Sequence, residues 1–252
     1  MNDATSGPAA DAVRVAHSTV PAIAGVPSNF MLDAATYAAA AEIGYIGMDF
    51  YFAGRAGVLG DVEPDTVVRE LGVFPETAVA AAWEATSLIE PRAAAAQRFA
   101  DQAARWADAH LDPDALDHAR LAELAGKVLG SADLSDAALV AGWSSLDEPA
   151  SPPALALHRL NGLRELRFAR HRDALGDAGV EPLDAVMIAS PFMAGIFGWP
   201  EPHPDPDQST RDRWSAAETA TDVRFALDLS VLTSEELAEF ADLCDALVPA
   251  VR

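Results

Sequence analysis

Helix signals follow one another along nearly the whole chain, and no segment shows a convincing strand pattern. Apolar residues recur at helical spacing, and proline, glycine and capping residues stand where the helices would begin and end. Residues 91–110, for example, carry Phe99, Ala103 and Trp106 on one face of a long helix. Only residues 188–199 run apolar without helical spacing, which leaves room for a short β-hairpin there. The sequence therefore predicts an all-α protein.

The predicted helices form two groups, and a short N-terminal tail precedes them. The tail, residues 1–10, is rich in Ser, Gly, Pro and Ala and is expected to be disordered. Residues 11–146 form an N-terminal helical subdomain, and residues 147–252 form a C-terminal helical subdomain. In the first of these, two short helices joined by a turn at residues 72–74 indicate a helix-turn-helix-like corner. We expect helix-turn-helix-like subdomains to pack around one internal pocket.

Residues 198–210 carry proline at every second position from Pro200 to Pro206. Neither a helix nor a central strand accommodates that spacing, because proline lacks the backbone N–H. We therefore predict an exposed, mobile connector near the entrance of the site. The last helix has a clear start, since Thr233 and Glu236 have the spacing of a capping box.

The chain is strongly acidic, with 39 Asp and Glu residues against 17 Lys and Arg residues in 252. High-GC codon usage explains such a composition, and salt adaptation or an acidic docking face for a basic partner are the alternatives. A net charge of −22 repels nucleic-acid phosphates and anionic membranes. We therefore expect no nucleic acid and no membrane among the partners. The expected partners are a small-molecule ligand and either a second copy in a homodimer or another protein.

Signals for metals, cofactors and targeting are few. Cys244 is the single cysteine, so an internal disulfide and a thiolate metal cluster are excluded. No histidine pair has the spacing of a helical metal site, and the chain lacks a nucleophile elbow, a P-loop and a dinucleotide fingerprint. We expect no metal and no cofactor. A cytoplasmic protein is expected, because the sequence has neither a signal-peptide pattern nor a run of about 18 apolar residues.

One arginine, Arg55, lies inside the apolar, aromatic and glycine-rich run of residues 49–60. A buried guanidinium needs a carboxylate, a carbonyl cluster or a bound anion, which makes Arg55 a candidate ligand-binding residue. Two hypotheses stay open: Arg55 binds an anion, or it pairs with Asp49, Asp61 or Glu63 nearby in the sequence. The glycines of the run would let a ligand or another backbone approach closely.

A long predicted helix in the C-terminal subdomain holds five arginines and two histidines. At about 100° per residue, Arg164, Arg167, Phe168 and His171 share one face, where they would contact an anionic or polar ligand. His158 lies about 140° around the helix from His171, so the two histidines cannot face one small ligand. The structural alternative is that these arginines pair with the chain's own carboxylates.

Residues 51–60 resemble the aromatic-x-x-Arg-x-x-x-Leu-Gly signature of a large, mostly uncharacterised actinobacterial family. Members of that family are helix-rich, winged-helix or helix-turn-helix-like proteins that often accompany specialised-metabolite pathways. The resemblance continues at residues 67–74, Pro75, Trp83, His158, Arg164, Glu165, His171, Glu218, Thr221 and Asp222. The chain departs from the family where residues 198–210 replace the wing and where Leu166 replaces a second histidine. The resemblance therefore implies a helix-turn-helix-like fold whose wing, and with it the ability to read DNA, is reduced or lost.

The leading hypothesis is a protein that binds a small polar or anionic molecule in an Arg/His-lined pocket, as a metal-independent enzyme of specialised-metabolite (antibiotic) biosynthesis. The catalytic candidates are His171 as the acid/base residue and Asp49 as a base or as the residue that orients Arg55. The predicted binding residues are Arg55, Arg164, Arg167, Trp83, Phe168, Tyr51 and His158. Two alternatives stay open: a ligand-sensing helix-turn-helix-type regulator, and a non-catalytic partner subunit of a biosynthetic complex. The regulator would need a basic recognition helix, and none stands clear of acidic neighbours.

Overall fold

The computed structural model describes residues 10–252, which fold into helices joined by turns and short loops. The helices, numbered in chain order, are α1 (Ala10–Ser18), α2 (Val26–Leu32), α3 (Ala34–Ala41), α4 (Asp49–Ala56), α5 (Pro64–Leu71), α6 (Glu76–Thr86), α7 (Arg92–His110), α8 (His118–Ser131), α9 (Ala138–Trp143), α10 (Pro152–Ala178), α11 (Pro182–Ala189), α12 (Met193–Phe197), α13 (Gln208–Leu229) and α14 (Ser234–Leu247). In the described part of the chain, extended pairing is limited to one isolated antiparallel bridge between Leu111 and Val251. The predicted all-α class is confirmed.

Short segments of tighter or wider helix complete the chain. A π-helical turn, Pro21–Gly25, lies between α1 and α2, and 3-10 segments cover Gly57–Leu59 and Val248–Ala250. The predicted disordered tail lies outside the described residues, apart from Ala10, where α1 begins.

Local sequence signals set the start of several helices. Side chains of N-cap residues accept hydrogen bonds from backbone N–H groups of the first turn at Asp33, Asp117, Ser151, Asp207 and Thr233. Thr233 and Glu236 form the capping box that their spacing predicts. Each such cap contributes about 1 kcal/mol, so these boundaries follow from a few neighbouring residues.

The longest helix, α10, has 27 residues and is largely buried. It packs against α7, α8, α9 and α13. Leucines that point in several directions from its axis are all fully buried, at Leu157, Leu160, Leu163 and Leu166. A helix buried on most sides is a core helix, so α10 holds the other helices in place. The main hydrophobic cluster draws residues from every helix except α11. The division at residue 147 stays a prediction.

Two helix-turn-helix corners lie within residues 10–252. The first corner joins α5 to α6 through residues 72–75, and it is the corner that the sequence predicts. The second corner joins α10 to α11 through residues 179–181. Each turn begins with a glycine in the left-handed region, and both Gly72 and Gly179 have φ +64°. A side chain at either position would strain the backbone, so both corners depend on glycine.

The second corner belongs to a three-helix unit made of the C-terminal end of α10, α11 and the first half of α13. Its small core is separate from the main cluster and consists of Ala174, Leu175, Val180, Ala185 and Ala217, with Ala178, Trp214 and Ala220 packed against them. Trp214 therefore anchors the N-terminal part of α13 beside the second corner.

The apolar segment before the prolines is helical, so the β-hairpin considered at residues 188–199 is wrong. It forms the end of α11 and the short helix α12. Phe197 packs on Phe74 of the first corner with ring centroids 4.3 Å apart, and Trp199 Nε1 donates to the Val73 carbonyl at 3.2 Å. This packing accounts for Phe197 and Trp199, whereas Phe192 and Ile196 of the same run are exposed.

Candidate functional site

Arg55 of α4 is buried and forms an ion pair with Glu165 of α10. Its Nε donates to Glu165 Oε1 at 2.7 Å, and its Nη2 donates to Oε2 at 2.8 Å. Its Nη1 donates to the Tyr51 hydroxyl at 3.0 Å, and the Phe168 ring centroid lies 4.6 Å from the guanidinium carbon. The exposed fractions are only 2% for Arg55 and 3% for Glu165. The guanidinium thus has a bidentate carboxylate partner inside the protein.

The sequence did not identify Glu165 as the partner of Arg55. The carboxylates nearest in sequence, Asp49, Asp61 and Glu63, form no hydrogen bond or salt bridge with Arg55 in residues 10–252. The reason is that α4 is packed on all sides and directs the Arg55 side chain into the core, whereas Asp61 and Glu63 are exposed. The expected role of Asp49 in orienting Arg55 is therefore wrong. Glu165 does lie in one of the matched family motifs, which was the available signal.

The glycines beside Arg55 serve helix packing. A Cβ added at Gly54 would lie 2.5 Å from Phe99 Cβ, and one added at Gly57 would lie 2.4 Å from the Arg92 carbonyl oxygen. Both neighbours belong to α7, and α4 and α7 are in extensive contact. The close approach expected from these glycines therefore brings two helices together, and it leaves no space for a ligand.

The ionisation of Glu165 is set by two opposing effects. Burial alone would raise the pKa of this carboxyl, but the charges and hydrogen bonds of Arg55 and Arg164 outweigh it and hold the pKa below its usual value. Arg164 Nη1 donates to Glu165 Oε1 at 2.9 Å. Glu165 is therefore an anion at neutral pH and is shared by two arginines.

The cationic face predicted for α10 lines a small cavity of about 120 Å³. The lining residues are Ile23, Ala24, Arg164, Arg167, Phe168 and His171. Arg167 Nη2 donates to Asp222 Oδ1 at 2.8 Å, and His171 Nδ1 lies 3.1 Å from Thr221 Oγ1 and 3.5 Å from Glu218 Oε1. The arginines of this face thus pair with the chain's own carboxylates. The geometry favours the structural alternative for them.

His171 is neutral at neutral pH. Burial and, to a smaller extent, the charge of Arg167 lower the pKa of its imidazole, Asp222 opposes them, and the resulting pKa is about 4. Burial also raises the pKa of Glu218, against the nearby charge of Arg167. These groups connect α10 to α13, because His171 and Arg167 lie on α10 and the carboxylates lie on α13.

The other predicted site residues lie apart from this cavity. Asp49 begins α4, and burial raises the pKa of its carboxyl. The Trp83 ring forms a cation–π contact with Arg92, whose guanidinium carbon lies 3.5 Å from the indole centroid. His158 lines a different cavity, between α8, α9 and α10. The predicted set therefore divides among at least three places.

The N-terminal end of α13 carries exposed basic and amide side chains. Asp207 caps the helix, and its Oδ1 accepts from Thr210 N at 2.8 Å. Arg211 pairs with Asp205 at 3.0 Å, while the exposed Arg213 donates only to the hydroxyls of Ser209 and Thr210, both at 3.1 Å. Among residues 10–252, the exposed arginines without a salt bridge are Arg105 and Arg213. The sequence gives no clear signal for this end, because the neighbouring aspartates offset its arginines in any count of charge.

Signs of a metal site and of a membrane-spanning helix are absent from the described residues. From residue 10 onward, no cluster of three or more His, Cys, Asp or Glu side chains is arranged to hold a metal ion. None of the helices in that range has the length and apolar character that crossing a membrane requires.

A family model described as a helix-turn-helix family matches residues 16–223, which is well over half of the chain. No curated protein and no solved structure matches the chain. Helix-turn-helix families typically use the corner to place a helix on DNA. The match therefore corrects two predictions: the Arg/His-pocket enzyme gives way to the regulator alternative, and the expectation of no nucleic-acid partner is wrong. The chain belongs to this helix-turn-helix family.

Proposed function

We propose that this protein is a DNA-binding regulator whose three-helix unit docks on DNA through the N-terminal end of α13. The observation that carries the proposal is the family match, which spans both corners and the first two thirds of α13. The resemblance of residues 51–60 supports a narrower proposal, a cytoplasmic actinobacterial regulator of specialised-metabolite genes.

The first corner is the weaker candidate for contact with DNA. The exposed side chains of α6 include Glu76 and Glu84, and α6 contains no arginine or lysine. Gly198 also lies against the start of α6, where a Cβ on it would be 3.3 Å from Ala78 Cβ. In helix-turn-helix proteins the N-terminal residues of the second helix contact base edges, and here the first of them, Glu76, is acidic and Ala78 lies against Gly198.

The three-helix unit offers better chemistry at α13 than at α11, the second helix of its corner, because α11 carries Asp184 in its first turn and contains no arginine or lysine. Gln208, Ser209 and Arg213 are exposed at the start of α13, and these residue types bind base edges and phosphates. The Asp207 carboxylate already accepts from the Thr210 N–H at this helix end, so contact with phosphate rests on the side chains of Ser209 and Arg213. Trp214, packed on the core of the unit, fixes the direction in which this end points.

The acidic surface sets the expected mode of binding. A net charge of −22 repels the DNA backbone, so binding that lacks favourable contacts with specific bases should be weak. Specific binding should depend on a few arginines. If Arg211 and Arg213 each neutralise one phosphate, log K falls with log salt with a slope of roughly −2 per bound chain.

The test is selection of a duplex from a random library, followed by anisotropy titrations with Arg213→Glu. Arg105→Glu is the matched control, since Arg105 on α7 is the other exposed arginine free of a salt bridge in residues 10–252. We expect Arg213→Glu to weaken DNA binding at least tenfold and to reduce the slope of log K against log salt by about 1. The control, Arg105→Glu, should bind like wild type. The proposal fails if the library enriches no sequence. Equal affinities of the two variants would refute the role of α13.

A further inference from the structure

A cavity of about 460 Å³ lies between the C-terminal ends of α8 and α9 and the first half of α10. Its lining residues are Gly126, Leu129, Gly130, Ala132, Leu134, Trp143, Ser144, Glu148, His158 and Arg159. The volume falls within the range of about 300–1,000 Å³ that is typical of small-molecule sites. This cavity is separate from the small one beside Arg164, because the two share no lining residue.

An aromatic pair lies at the base of this cavity. The rings of Trp143 and His158 stack with centroids 5.1 Å apart and an angle of 29° between their planes. Trp143 Nε1 donates to the His158 carbonyl at 2.9 Å, which fixes the indole against the helix. Both side chains are nearly buried, with exposed fractions of 3% and 6%.

The imidazole of His158 has no hydrogen-bond partner within residues 10–252. Its ring nitrogens are not among the fully buried side-chain atoms without a partner, so they are accessible from the cavity and can hydrogen-bond to a molecule bound there. Burial lowers the pKa of His158 to about 4, with Arg159 adding to the effect and Glu148 opposing it. The ring is therefore neutral at pH 7 and offers one N–H donor and one acceptor nitrogen.

The charges that line the cavity neutralise each other. Arg159 Nε and Nη2 donate to the two carboxylate oxygens of Glu148, both at 2.9 Å, and Arg159 Nη1 donates to the Ala122 carbonyl at 3.1 Å. The remaining walls are mostly aliphatic. An ionised ligand would lose its hydration without finding an unpaired counter-charge, so the cavity favours a neutral molecule.

We propose that this cavity binds a neutral, planar aromatic molecule that carries a hydroxyl or carbonyl group and hydrogen-bonds to His158. The molecule fills the space between the aliphatic walls, and its polar group satisfies the imidazole. This ligand site goes beyond DNA binding and does not depend on it. In a regulator it would be the site of a small-molecule signal.

The first test compares 2-naphthol with naphthalene by equilibrium dialysis, without DNA. The two probes differ by one hydroxyl, and one hydrogen bond contributes about 1 kcal/mol, so wild type should bind 2-naphthol roughly fivefold more tightly. His158→Phe keeps a ring against Trp143 but removes both ring nitrogens. This variant should bind both probes with equal affinity, close to that of wild type for naphthalene.

The second test fills the cavity from α8. A Cβ added at Gly130 meets nothing within 4 Å, so Gly130→Phe should place a ring in the cavity without disturbing the fold. Gly195→Phe is the control, since Gly195 on α12 is equally open and lines no part of this cavity. We expect Gly130→Phe to weaken binding of both probes more than tenfold and Gly195→Phe to leave binding unchanged, with thermal melts showing both variants folded.

Three results would overturn the ligand site. They are no binding of either probe to wild type at its solubility limit, wild-type binding by Gly130→Phe, and a preference for 2-naphthol that survives in His158→Phe. If Gly130→Phe does not fold, the His158→Phe comparison decides alone. Arg213→Glu should bind 2-naphthol like wild type, so failure of the DNA proposal and failure of this one are distinguishable.

Discussion

Removal of the positive charge at Arg55 should strongly destabilise the protein. Arg55→Met keeps the length and apolar contacts of the side chain but leaves the Glu165 carboxylate, which is 3% exposed, without its bidentate partner. Breaking a buried ion pair in this way costs roughly 3–5 kcal/mol. Arg164 still donates to Glu165 at 2.9 Å, which places the expected loss near the lower limit, at about 3 kcal/mol. For a chain of this size that corresponds to a fall in Tm of about 6–12 °C.

The assay is urea unfolding at pH 7, with a double variant to isolate the pair. Arg55→Met/Glu165→Met replaces both charges with apolar side chains, and such replacements are often neutral or stabilising. We expect the double variant to be more stable than Arg55→Met, although each change alone destabilises. Equal m-values for wild type and the variants would show that the substitutions change stability and not the compactness of the denatured state.

The pH dependence gives a second measure of the same pair. The pKa of Glu165 is lowered in the folded protein, so its stabilisation is complete above the unfolded pKa and is lost as pH falls through the folded pKa. The stability difference between wild type and Arg55→Met should therefore shrink as pH falls from the unfolded pKa of about 4.3 through the lower folded pKa. The reasoning is refuted if Arg55→Met costs less than about 1 kcal/mol, or if the double variant is as unstable as the sum of the single losses.

Three further predictions concern separate parts of the fold. Gly57→Ala should destabilise by roughly 1–3 kcal/mol in chemical unfolding, because its Cβ would meet the Arg92 carbonyl, whereas Gly130→Ala should be neutral or stabilising by up to about 1 kcal/mol. Asp207→Ala should cost about 1 kcal/mol through loss of the α13 cap, and Asp207→Asn should restore most of it. His171 has a lowered pKa, so its neutral form contributes stability that is lost as pH falls from about 6.5 to about 4; unfolding curves of His171→Gln should show a smaller loss over that interval.

Local features of this fold follow from the sequence, and long-range ones do not. Caps such as Asp33 and Thr233, and the glycine that ends α5, act within a few residues, so their helix boundaries are predictable. The Arg55–Glu165 pair spans 110 residues of sequence, and spacing along the chain cannot rank Glu165 above nearer carboxylates. Helical geometry did place Arg164 and His171 on one side of α10 and His158 on another, because the period of a single helix suffices for that.

The wrong prediction about nucleic acid has a related cause. Net charge sums over the whole surface, whereas DNA meets one small face. Most arginines of α10 are paired with carboxylates inside the protein, and they contribute nothing to an outer face. The net charge of −22 therefore predicts weak non-specific binding to DNA. It gives no information on whether one helix end carries an exposed arginine.

The contact between Trp199 and the first corner limits how far the start of α13 can move. Trp199 is hydrogen-bonded to the Val73 carbonyl, and Pro206, seven positions later, is buried just before α13 begins. Seven residues of extended chain reach roughly 23–25 Å, and prolines in this stretch restrict the chain further. The helix end proposed to meet DNA is thus tethered to α5 and α6. Insertions in residues 200–205 would lengthen the tether, while loss of the Trp199 bond would leave the contact between Phe197 and Phe74 as its attachment to the first corner.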